Sequence, residues 1–123
     1  MKKDPAVYVQ HIYDCILRIE AYVEDGREAF FRDHKTQDAV IRNLEVIGQA
    51  VKDLGTDRLS DEQPAIPWSQ IAGARNVLAH QYLGVDLTLV WNIVEKDLPT
   101  LKAAIDETAK RLSIQLHGPD DRS

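Results

Sequence analysis

Val40, Leu44, Ile47, Val51 and Leu54 step along the chain by alternating spacings of four and three residues. Only an α-helix gathers such a series onto one side, and a stripe of that kind has to be covered by another element. Tyr8, Ile12, Ile16, Ile19 and Val23 repeat the pattern, predicting a first helix from about Asp4 to Glu24. Trp68, Ile71, Val77 and Leu78 supply a third apolar face, and Leu87, Val90, Trp91, Val94 and Leu98 a fourth. Leu101, Ile105 and Leu112 carry that last stripe onward. No stretch alternates with the two-residue period of a strand, and no internal repeat is present. The expected class is all-α, an up-and-down bundle of four to five helices.

The punctuation between the stripes sets the expected boundaries. Thr36 or Asp38 can start the second helix and Gly55 can end it, while Gly48 inside it suggests a close helix–helix approach. The stretch from Asp25 to Gln37 is polar apart from Ala29-Phe30-Phe31, and Gly55 to Ile66 reads as the main loop. Pro67 suits the first position of the third helix, where its missing N–H is no loss. Gly84 marks that helix's end, and Asp86 can cap the next one. Pro99 is expected to break or kink the last stripe. These signals outline a single helical domain over residues 1–116 and a flexible polar tail over 117–123.

A chain of 123 residues is too short for two separate stable cores. One core of this size leaves little for a deep, self-contained pocket, which favours a site built at a subunit interface. Cys15 is the single cysteine, so no intrachain disulfide or cysteine metal cluster can form. The N-terminal Met1-Lys2-Lys3-Asp4-Pro5 lacks the apolar run of a signal peptide. No apolar stretch reaches the ~20 residues that cross a bilayer, so no membrane partner is expected and a reducing cytoplasm is the expected location. The formal net charge of −5 argues against a function that depends on holding nucleic acid tightly, yet allows a small local basic site.

Arg75, His80 and Tyr82 fall within eight residues at the end of the third helix. Arginine grips phosphate through a planar fork of donors, and histidine exchanges protons near neutral pH. Together they supply the minimum for cleaving RNA without a metal: a base for the ribose 2′-hydroxyl, a cation for the charged phosphorane, and an acid for the leaving oxygen. On an ideal helix Arg75 and His80 lie about 140° apart, while Arg75 and Tyr82 nearly eclipse. A two-fold dimer that places both copies of the segment in one cleft answers this phase mismatch and provides two histidines, one acid and one base. Structural roles compete with this reading. His80 can serve as a helix C-terminal cation and Tyr82 as a core-edge residue with a wet hydroxyl.

His11, His34 and His117 are scattered, and no His-x-x-x-His pattern, Walker loop or Gly-x-Gly-x-x-Gly occurs. Neither a metal nor a cofactor is therefore expected. Arg42 and Glu45, beside the apolar stripe of the second helix, are candidates for a structural ion pair or for support of the site from behind. Arg27, Arg32, His34 and Lys35 form a small basic cluster that suits either RNA or plain solvent.

The segment Arg75–His80–Tyr82 resembles the Arg-x4-His-x-Tyr motif of the HepT-like family in the HEPN superfamily. Residues 38–48, Ile66-Pro67-Trp68, Ile71-Ala72-Gly73, Gly84-Val85-Asp86, Val90-Trp91 and Asp97-Leu98-Pro99 resemble family segments in the same order. The resemblance implies a HEPN-type bundle and a homodimer that cleaves RNA without metal at the paired motif. It implies Arg75 and His80 as the catalytic pair and Asn76 as the polar residue that follows the arginine. It further implies a minimal nucleotidyltransferase partner, an antitoxin that transfers AMP from ATP onto Tyr82. Gln81 fills a variable position. A non-catalytic helical binding module, or a subunit of a nucleotidyltransferase complex, is the alternative that the acidic charge and the Arg–His phase leave open.

Overall fold

A computed structural model describes residues 4–69, 71–73 and 86–118. Helices α1 (Pro5–Tyr22), α2 (Arg27–Arg32), α3 (His34–Leu54), α4 (Thr56–Glu62), α5 (Leu87–Asn92) and α6 (Leu98–Arg111) make up most of it. No strand occurs among the described residues, so the chain is all-α as the stripes predict. α1 lies along α3 and also meets α6, while α2 and α4 flank α3.

α1 begins where Asp4 accepts the amide of Ala6 at 3.0 Å, with Pro5 in the first turn. Its buried face is Val9, Ile12, Cys15, Ile16 and Ile19, and Tyr8 and Val23 are half-buried at its margins. α3 answers with Val40, Leu44, Ile47, Gly48 and Val51. Full burial of each isoleucine contributes roughly 1.5–3 kcal/mol. α6 adds Leu98, Leu101, Ala104, Ile105 and Ala109.

Three boundaries differ from the sequence reading. α3 starts at His34, because Asp33 is the cap: its carboxylate accepts the Lys35 amide at 3.0 Å and the Thr36 hydroxyl at 2.8 Å. The polar stretch before it contains α2, held down by Phe30 in the core and by Gln37, whose buried amide donates to the Phe30 carbonyl at 3.0 Å. The expected main loop contains α4, anchored by Leu59 at 1% exposure. Gly55 both ends α3 and precedes α4, and its φ of +109° is one that residues with a Cβ rarely adopt.

Pro99 does not break its helix. Between α5 and α6 the backbone widens into a π-helical turn, Ile93–Asp97, in which Leu98 N–H reaches back five residues to Ile93 O. The wider turn makes room for a ring that would clash with the preceding carbonyls and cannot donate. α6 ends in a Schellman turn. Ser113 has φ +56°, Ser113 N–H donates to Lys110 O at 3.2 Å, and Ile114 N–H donates to Ala109 O at 2.7 Å. The turn sends residues 114–118 back across the start of α1.

Candidate active site

The approach to the motif is built from the core outward. Residues 68, 69 and 71–73 are helical, and Ile71 N–H donates to Pro67 O at 3.0 Å, which sets Pro67 at the cap of this helix. Trp68 is 1% exposed, and its indole N–H donates to Gln63 O at 3.1 Å. Ile71 and Ala72 pack half-buried against the core. Beyond the motif, Asp86 caps α5 by accepting the amides of Thr88 at 3.0 Å and Leu89 at 3.2 Å, as its position predicts. Arg75, Asn76, His80, Gln81, Tyr82 and Gly84 lie outside the described residues.

Arg42 and Glu45 sit on one face of α3, with Arg42 Nη1 3.7 Å from Glu45 Oε2. The arginine side chain is 74% exposed and the glutamate 22%. Such a long, solvated pair contributes about 0–1 kcal/mol. The pair borders a cleft of about 410 Å³ between α1 and α3 whose other walls include Tyr8, His11, Gln49 and Asp53. The packing of α1 on α3 thus adds an exposed histidine and a half-buried tyrosine to the two residues singled out from sequence. Their signal was the three-residue spacing of Tyr8 and His11, which places both on one side of α1. His11 also borders a shallower concavity of about 890 Å³ between the start of α1 and residues 112–117.

Arg27, Arg32, His34 and Lys35 are all exposed, and the Arg27 guanidinium lies 4.7 Å from the centre of the Phe31 ring. Cys15 is buried, and burial pushes its thiol pKa up, against an opposing pull from the Arg18 guanidinium. Among the described residues no group of His, Cys, Asp or Glu is arranged to hold a metal ion. No helix among them is long and apolar enough to cross a membrane.

The family model for HepT-like ribonucleases matches residues 12–108, from within α1 to near the end of α6. This chain belongs to the HepT-like ribonuclease family. The matched region contains Arg42, Glu45, Arg75, Asn76, His80 and Tyr82. A Thermococcus cleftensis HepT-like protein named "probable ribonuclease HepT" is 39% identical over 89% of this chain and 100% of its own length. A Methanocaldococcus jannaschii protein named "γ-glutamylcyclotransferase and putative RNase" is 43% identical over 85% of this chain. The chain spans 47% of that protein's length, about half. A second M. jannaschii protein carrying the same RNase designation is 36% identical over 99% of this chain and 98% of its own length. No solved structure matches the chain at a significant level.

Proposed function

We propose that this HepT-like chain is a metal-independent endoribonuclease, the toxin of a toxin–antitoxin pair, acting as a homodimer through Arg75 and His80. The observation that carries the reading is Arg75, His80 and Tyr82 at Arg-x4-His-x-Tyr spacing inside the region the family model matches. The ribonuclease names of full-length relatives support it.

In the proposed reaction one His80 takes the proton of a ribose 2′-hydroxyl, and the 2′-oxygen attacks the adjacent phosphorus. Arg75 stabilises the phosphorane oxygens through its forked donors. The partner subunit's His80 gives its proton to the departing 5′-oxygen, leaving a 2′,3′-cyclic phosphate and a free 5′-hydroxyl. Asn76, the polar residue that follows the arginine, is assigned a supporting role. An overall charge of −5 fits an enzyme that contacts a few phosphates and releases its product readily.

Tyr82 is the proposed switch. A minimal nucleotidyltransferase antitoxin joins the tyrosine oxygen to the α-phosphorus of ATP, and pyrophosphate leaves. The new phosphate adds negative charge near Arg75, and the nucleoside fills space that RNA needs.

Purified chain should cut RNA in the presence of EDTA, and His80→Ala and Arg75→Ala should each reduce the rate by about 100-fold or more with the fold intact. Normal cutting by both variants contradicts the assignment. Stable complex formation with the nucleotidyltransferase but no cleavage by the unmodified chain identifies a binding module instead.

A further inference from the structure

Gln63 stands twelve residues before Arg75, and its backbone N–H, its backbone carbonyl and its side-chain amide nitrogen are all engaged. Its N–H donates to Leu59 O at 2.8 Å, closing α4. Its carbonyl accepts both the Ile66 amide at 3.2 Å and the Trp68 indole N–H at 3.1 Å. Its side-chain amide donates to Ala104 O at 2.8 Å and to the Thr108 hydroxyl, both on α6. Thr108 is 0% exposed and Trp68 1%, so this hub lies against the core.

We propose that Gln63 is a positioning residue for the motif, fixing the helix that leads into Arg75, His80 and Tyr82 against α6. Trp68 alone would seat the helix by apolar contact, which tolerates sliding and rotation. Hydrogen bonds are directional, and buried ones are expensive to leave unmade. By binding Trp68 with its carbonyl and α6 with its amide, Gln63 ties the start of the motif helix to one register on α6. Arg75 follows three residues after the half-buried Ala72 in the sequence, so a small rotation at the root of the helix displaces the residues that come after it. Misplacement of that kind lowers turnover more than substrate binding.

The kinetic consequence rests on the ribonuclease reading, so the decisive readout is a structural one. Hydrogen exchange is followed by mass spectrometry on the full chain, in Gln63→Met, which keeps length but removes both donors, and in Thr108→Val, which keeps shape but removes one acceptor. Amides of residues 71–85 should exchange about tenfold faster in Gln63→Met, with a smaller rise in Thr108→Val, while α1 and α3 keep wild-type rates. RNA cleavage by Gln63→Met should show a kcat reduced by about tenfold or more and a KM within about twofold. Unchanged exchange at residues 71–85, or protection lost equally from α1 and α3 in Thr108→Val, overturns the proposal. So does faster exchange with kcat intact. Should Gln63→Met not fold, Thr108→Val decides alone. A wild-type chain that cuts no RNA refutes the ribonuclease reading and leaves the exchange test standing.

Discussion

Gln10 and His117 exchange two hydrogen bonds across 107 residues of sequence. The glutamine amide donates to His117 O and the glutamine oxygen accepts His117 N–H, each at 2.9 Å. The position where the polar tail is expected to begin is therefore paired with the first half of α1. Gln10→Ala should lower stability by about 1 kcal/mol, equivalent to a fall of about 3–6 °C in Tm. Limited proteolysis within residues 112–118 should accelerate in parallel, which a melt and a digestion time course would show together.

Ser113 holds a left-handed conformation, φ +56°, at the Schellman turn that ends α6. A residue with a Cβ is strained there and glycine is not. Ser113→Gly should raise stability by about 0.5–1 kcal/mol, after allowing for glycine's greater freedom in the unfolded chain. Ser113→Val should lower it. Urea titrations of both variants check the pair of signs.

Ile12 is fully buried on α1 within the core it shares with α3. Ile12→Ala removes apolar contacts and leaves a cavity, and it should cost about 2–5 kcal/mol, against about 1 kcal/mol for Ile12→Val. Chemical denaturation should show this ordering with an unchanged slope, since the surface exposed on unfolding stays the same.

Asp33 is held below the ordinary aspartate value of 3.8, first by the hydrogen bond from the Thr36 hydroxyl, which outweighs the opposing effect of desolvation, and further by the Lys35 and Thr36 amides. A depressed folded-state pKa contributes stability that is fully present above the unfolded value and is lost as pH falls through the folded one. The stability difference between wild type and Asp33→Ala should stay level near neutrality and shrink on acidification below about pH 4. A difference that grows on acidification would contradict the capping role.

The long helices are legible because each carries enough apolar residues to define a period. α2 and α4 are not, since among the described side chains each has one that is buried, Phe30 or Leu59, and a single residue has no periodicity. The start of α3 is hidden for a related reason. His34, Lys35 and Thr36 carry no apolar face, so only the geometry of the Asp33 carboxylate reveals the cap. Pro99 announces its missing donor in the sequence, but the π-helical turn that accommodates it depends on how the whole helix packs. At the site, Arg75, His80 and Tyr82 stand out by residue type and spacing. His11 does not: it is far from Arg42 in sequence, and only the packing of α1 against α3 brings both to one cleft.

The measurement that bears most directly on the ribonuclease assignment is growth after inducing this chain alone, beside His80→Ala, with total RNA resolved on a gel and soluble expression verified. Growth arrest and broken RNA that both disappear in His80→Ala are the predicted result. Healthy growth and intact RNA with the unaltered chain would contradict the assignment and favour a binding module.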